Sequence, residues 1–479
     1  MTDLEKKRGT NAEDISLSSN HQEKVARVRE QVDAFHVDED DGTRINFKTM
    51  GWVKAGALIM AETIALGILS FPLVFHRLGM ATGIMVTVAL AIMSTWTGWQ
   101  IVDFKVNHPG VMNFADAGRV MWGKWGGYAI GTMLIVKVTF VAGSHSLSGA
   151  IALSNISSNA VCSIVYAVVI SVVSFLLTVP RTFEKVSYIS FLSVASILVA
   201  CLITIVASGT QSLETLQTAT DKELGPVEWF AGEHHGLIDV INAITNIVFA
   251  YGGHVAIFSF ASEMKEPADF KYSLILVQVV ATSWYILVGA TIYSFVGQYA
   301  VSPALTATAK AVRITSYSIA LISIIVAGVV ASYVGAKFVW IQLFRGSETL
   351  TSSSYRTWSY WVGICATLWT VAFVISQVIP FFSDLLSIIS SLFTVWLTYG
   401  LSSFLWLHDN HPSRSELLTN VSGRGGYFST RWKGLLFFFN LLMILFSAAI
   451  MGLGTYSAVK AIKDGYDQGD FGGPFSCSS

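Results

Sequence analysis

The sequence predicts an all-α integral membrane protein of about eleven transmembrane helices, and three observations lead there. Hydrophobic residues make up 53% of the 479 and charged residues only 13%, against roughly 25% charge in soluble proteins. The apolar residues gather into stretches of roughly 20, the length a helix needs to cross a hydrocarbon core. The loops between those stretches alternate between rich and poor in Lys and Arg.

Residues 1–50 are polar, carry an acidic run from Asp38 to Asp41 and hold no apolar stretch suited to a signal peptide. They are read as a disordered cytoplasmic tail. Apolar stretches follow at 51–74, 79–104, 126–152, 160–180, 186–208, 237–261, 273–296, 316–342, 358–379, 382–406 and 434–461. The division expected is a first five-helix unit over 51–208, an extracellular loop over 209–236 and a second unit over 237–406. A cytoplasmic loop over 407–433, an eleventh helix over 434–461 and a short non-cytoplasmic tail over 462–479 complete it.

Loops rich in Lys and Arg stay on the cytoplasmic side. One set of loops holds Lys105, Arg119, Lys124, Arg181, Lys185, Lys265, Lys271, Arg345, Arg356, Arg414, Arg424, Arg431 and Lys433. The opposite set holds only Arg77, Lys222, Lys310 and Arg313. The N-terminus is therefore expected inside and, with an odd helix count, the C-terminus outside. Asn155-Ile-Ser157 then falls in an outer loop as a glycosylation sequon, while Asn420-Val-Ser422 lies inside.

A net charge of −1 argues against nucleic acid, whose binders need a basic face. The four cysteines, Cys162, Cys201, Cys365 and Cys477, show no metal-ligand spacing. They are read as packing residues, with no disulfide framework, metal or other cofactor indicated. No His-rich metal motif, nucleophile elbow or phosphate loop is present, so an enzyme is not expected.

Two stretches carry interruptions. The first reads AETIALGILSFP, residues 61–72, with Gly67 near mid-span and Pro72 five residues on; the sixth reads NIVFAYGGHVAIFSF, residues 246–260, with Gly252 and Gly253 near mid-span. Each lies in the opening helix of a five-helix unit, and the two units enter the membrane from opposite sides. That is the pattern of an inverted-repeat transporter, with its substrate site between two broken helices at the midplane. Backbone groups freed by unwinding must find partners in hydrocarbon. An amino-acid zwitterion supplies both kinds, a carboxylate for N–H groups and an ammonium for carbonyls. The competing account is that small residues merely allow close helix packing.

The same segments, with FAYGGHVAIFSFASEMKEPADF at 249–270 and IPFFSDLLSIISSLF at 379–393, resemble the fungal branch of the amino acid/auxin permease family, most closely its neutral amino acid permeases. The resemblance implies a LeuT-like fold (APC superfamily) of five plus five inverted helices with one extra, and secondary active uptake driven by protons. By motif position it implies that Thr63, Ile64, Ala65, Leu66 and Gly67, with Phe249, Ala250, Tyr251 and Gly252, hold the substrate's amino and carboxyl groups. Ala65-Leu66-Gly67 stands where much of the family has Gly-Ser-Gly.

Charged residues at membrane depth are costly and so are functional candidates. Glu62, just before the first break, is the candidate proton carrier. Lys137 in the third stretch is either a tethered cation partnering Glu62 or a structural pair. His254, beside the two glycines, is a candidate proton relay, and so, more remotely, is His145. Phe249 and Tyr251 are candidates to line an apolar side-chain pocket. Trp96, Trp99, Trp340 and Trp406 are read as interfacial anchors, and Asp384 as an outer helix cap.

The reading is a proton-coupled symporter of neutral, aliphatic and aromatic, amino acids in the plasma membrane, with the amino acid, protons and the lipid bilayer as its partners. A vacuolar exporter of the same fold and a sensor that binds without transport remain the alternatives.

Overall fold

The computed structural model describes residues 47–65, 67–221, 225–228, 235–379, 382–411, 426–468, 475 and 477. The tail expected over 1–50 lies almost wholly outside these, as do the Asp38–Asp41 run, Leu66 and Asn420.

The described residues form helices, with one isolated bridge between Met50 and Met264 and no strand. The first apolar stretch is α1 (Trp52–Thr63), a 3₁₀ turn (Gly67–Ser70) and α2 (Phe71–Leu78). Gly79, at φ 78°, turns the chain into α3 (Met80–Asn107). A left-handed φ of this kind suits glycine because it has no Cβ. Then come α4 (Phe114–Ser157), α5 (Ser163–Thr178) and α6 (Phe183–Thr210). After the short α7 (Leu213–Thr220), the sixth stretch is α8 (Leu237–Ala250), a 3₁₀ turn (Gly252–Ala256) and α9 (Ile257–Ser262). Next are α10 (Phe270–Val296), α11 (Lys310–Phe344) and α12 (Tyr355–Val378). The tenth stretch is α13 (Phe382–Ile389), two π turns (Ser390–Thr394 and Trp396–Gly400) and α14 (Leu401–Asp409), and the last is α15 (Arg431–Gln468).

Ten of the expected crossings are long and apolar enough to span a bilayer by length and composition; the other, α5, has 16 residues. The 44 residues of α4 exceed what a crossing needs. Trp122 and Gly123, the latter at φ 67°, break it, leaving a lead-in segment before the span. Asn113 caps that segment, its side chain accepting from the Asp116 N–H at 3.0 Å.

The first and sixth spans are the most enclosed, 88% and 83% buried, and the last is the least, at 22%. The broken helices therefore occupy the centre. Among the described residues the eleven expected stretches are all helical, with the first and sixth broken near mid-span by 3₁₀ turns.

Three sequence expectations change. Cys162 and Cys477 form a disulfide, and only Cys201 and Cys365 are buried free thiols; partners 315 residues apart leave no spacing signal. Trp340 is buried rather than interfacial, donating from its indole to the Leu350 carbonyl at 3.3 Å with Arg181 over its ring. Asn155 sits in the last turn of α4, not in a loop, and its amide donates back to the Ile151 carbonyl at 2.8 Å.

Candidate functional site

The two breaks meet. A Cβ added at Gly67 would lie 2.8 Å from both Cα and Cβ of Ala250, and one added at Gly253 would lie 2.7 Å from Thr63 Oγ1. One at Gly252 would lie 2.6 Å from Thr394 Cγ2, on the first π turn of the tenth span. Ordinary carbon contacts fall at about 3.5–4.0 Å. These glycines are thus where broken segments approach each other and the tenth span. π turns recur at functional sites, and this one faces the second break.

Buried backbone carbonyls freed by unwinding need donors. At this site side chains supply them. The Tyr285 hydroxyl on α10 lies 2.6 Å from the Thr63 carbonyl and 3.0 Å from the Ala250 carbonyl, bridging both breaks. Lys137 on α4 donates to the Gly252 carbonyl at 3.3 Å. His254 places Nδ1 3.2 Å from the Tyr251 carbonyl and Nε2 2.8 Å from the Ser94 carbonyl, with Thr97 Oγ1 at 3.4 Å from Nε2.

Lys137 Nζ also stands 3.8 Å from Glu62 Oε1, both side chains almost fully buried. The two charged candidates therefore face each other across the first and third spans. Their separation is wider than a hydrogen bond. Thr63 turns its hydroxyl back on the Ile59 carbonyl at 2.6 Å, and Ile64 caps α1 through Met60. Ile64 and Ala65 are buried between α1 and the 3₁₀ turn.

The aromatic pair separates. Phe249 packs against Val141, Leu147, Ala331, Leu385 and Ile389, a cluster from α4, α11 and α13. Tyr251 points elsewhere, its hydroxyl 3.2 Å from the Thr87 carbonyl and 3.0 Å from Thr282 Oγ1, so it is held by α3 and α10 rather than beside Phe249. His145 is an interhelical bond to the Ile324 carbonyl at 2.8 Å.

The ends differ. At the Met50 end, Glu263 pairs with Lys337 of α11 at 2.8 Å with both side chains dry. Lys337 also donates to the Arg181 carbonyl at 2.9 Å and lies 3.8 Å from the Phe47 ring centroid. Backbone bonds from Met50 N–H to the Glu263 carbonyl and from Lys265 N–H to the Met50 carbonyl stitch the first span's start to the sixth span's end. At the opposite end Arg77 and Asp239 stand 3.6 Å apart with side chains 20% and 41% exposed. Asp384 lies in the first turn of α13, near enough to both for their charges to act on it. The Met50 end is thus held by a buried ion pair and backbone bonds, and the other end by a partly exposed pair.

Sequence reasoning missed Tyr285, Thr394 and the Glu263–Lys337 pair. Nothing marks one tyrosine among 16 or a π turn inside an apolar run. The rule that singled out Lys137 applies equally to Lys337, which lies in the eighth stretch.

Comparison with known proteins agrees with this architecture. Residues 48–459 match the family model described as transmembrane amino acid transporter protein. The chain is 31% identical to the N amino acid transport system protein of Neurospora crassa over 436 residues, covering 90% of this chain and 89% of that one. It is 22% identical to a transmembrane transporter of Fusarium pseudograminearum, covering 91% and 88%. Among solved structures it resembles MhsT in complex with L-phenylalanine, with a TM-score of 0.57 at 11% identity, covering 84% of this chain and 99% of that one. With the family model covering most of its length, the chain belongs to the transmembrane amino acid transporter family.

Proposed function

We propose that this chain is a proton-coupled symporter of neutral amino acids, working by alternating access in the plasma membrane with its N-terminus in the cytoplasm. The observation that carries the reading is the set of donors at the breaks. Tyr285, Lys137 and His254 stand at carbonyls that a substrate ammonium would otherwise meet. In this reading the substrate carboxylate accepts from N–H groups at the start of the Gly67–Ser70 turn. Its ammonium takes the Thr63 and Ala250 carbonyls as the Tyr285 hydroxyl moves aside. The apolar cluster around Phe249 supports a neutral side chain, and the Neurospora relative, an amino acid transport system protein, supports an amino acid as substrate.

Coupling runs through Glu62. A proton on its carboxylate ends the attraction across 3.8 Å to Lys137 and frees the ammonium to donate fully to Gly252. That shifts one broken helix relative to the other. His254 is the second carrier, because a neutral ring donates to one of its two facing carbonyls and a protonated ring donates to both. The disulfide supports the orientation, since the charge pattern assigns Cys162 and Cys477 to the same non-cytoplasmic side.

The test is uptake of labelled neutral amino acids into proteoliposomes under an imposed pH gradient, with and without a protonophore. Accumulation that collapses with the protonophore supports the reading. Accumulation indifferent to it removes proton coupling, and binding without accumulation in tight vesicles points to a sensor.

A further inference from the structure

At the inner end of α3, away from both breaks, three side chains converge that the transport reading does not use. His108 Nε2 lies 2.9 Å from Asp409 Oδ1 and His408 Nδ1 lies 3.6 Å from the same oxygen. All three donor atoms fall within 4.8 Å of one another. A tetrahedral zinc ion with bonds of about 2.0–2.1 Å keeps its ligands roughly 3.3 Å apart, so small side-chain adjustments suffice. Two imidazole nitrogens and one carboxylate form a donor set suited to borderline divalent cations.

Neighbouring side chains hold two of the three in position. Asn107 Nδ2 donates to Asp409 Oδ2 at 3.0 Å, orienting the carboxylate so that Oδ1 faces the histidines. The His108 ring packs against Phe104, with centroids 4.3 Å apart. Access is in place as well. A cavity of about 330 Å³ reaches His408 and is walled by Trp122, Phe404, His411 and Tyr427. The three ligands are partly buried, neither sealed away nor free on the surface.

We infer that His108, His408 and Asp409 form a binding site for a zinc-class divalent cation, with a fourth position open to water from the adjoining cavity. The site is separate from substrate binding. Its ligands come from segments 301 residues apart in the chain, so a bound cation cross-links the end of α3 to the end of α14. Sequence spacing gives no sign of it, because His408 and Asp409 are adjacent and His108 is remote.

The test uses purified full-length protein, loaded with Zn²⁺, passed through a desalting column and assayed for retained metal, beside His108→Gln and His408→Gln variants. About one equivalent in the parent and a loss of at least tenfold in affinity in each variant is expected. Zinc no higher than in a detergent blank, or equal retention in parent and variants, overturns the proposal. Should either variant fail to give monodisperse protein, X-ray absorption of the loaded parent decides. Two imidazoles with oxygen donors support the site, whereas sulfur ligation or fewer than two imidazoles overturns it.

Discussion

Replacing Gly67 by alanine is the sharpest perturbation of the paired breaks. The added methyl would lie 2.8 Å from the Cα and Cβ of Ala250, at least about 0.7 Å inside an ordinary carbon contact. The neighbour is backbone whose carbonyl is held by Tyr285 at 3.0 Å, so no rotamer change relieves the clash and the broken segments must part. Overpacking of this kind costs about 1–3 kcal/mol. Charged to the state in which the breaks touch, that lowers its population, and with it uptake, by about 5- to 150-fold. Gly253→Ala meets Thr63 Oγ1 and Ile59 Cγ1, side-chain atoms rather than backbone, and should lose less. Gly452→Ala on α15, with no atom within 4 Å of the new methyl, should behave as parent. The assay is initial uptake of labelled amino acid by purified, equally reconstituted proteins. If Gly67→Ala transports like Gly452→Ala, contact between the breaks has no part in the cycle.

Tyr285→Phe removes the donor shared by Thr63 and Ala250, leaving buried carbonyls at a cost of about 1–3 kcal/mol. Its melting point should fall without substrate and rise more on adding substrate than in the parent; equal rises would show that the hydroxyl does not compete with an ammonium. Glu263→Gln removes the carboxylate that faces buried Lys337, and breaking a buried pair costs about 3–5 kcal/mol, so a cysteine placed at buried Ser262 should react with a polar thiol reagent about tenfold faster or more. An unchanged rate would mean the pair does not hold that end shut. Glu62→Gln should weaken the dependence of uptake on an imposed pH gradient, and an unaltered profile would remove Glu62 from coupling. Denatured, unreduced protein should show two maleimide-reactive thiols, Cys201 and Cys365, and four after reduction. Four at the outset would rule out the disulfide.

The helices were legible because apolar length alone defines a crossing, and the two breaks because glycines interrupt otherwise continuous stretches. Element ends moved for definite reasons. The third stretch gained its lead-in segment because Asn113 starts a helix well before the apolar residues begin. The tenth concealed its π turns because an extra residue per turn changes which way later side chains face but leaves the stretch just as long and apolar. Glu62 and Lys137 were visible as charges out of place, but their facing one another was not, since partners on separate spans have no fixed spacing. Tyr285 is the clearest loss. It acts through one hydroxyl aimed at two backbone carbonyls, and a tyrosine in an apolar helix otherwise looks like packing.

The bond between Cys162 and Cys477 closes a loop of chain 315 residues long, running from the start of α5 to the tail beyond α15. Any single cut within it, including one in the segment between α14 and α15, leaves a nicked protein that is still one covalent molecule. Proteolytic mapping of that segment would therefore register no change in mass on an unreduced gel, and would separate two fragments only after a thiol is added.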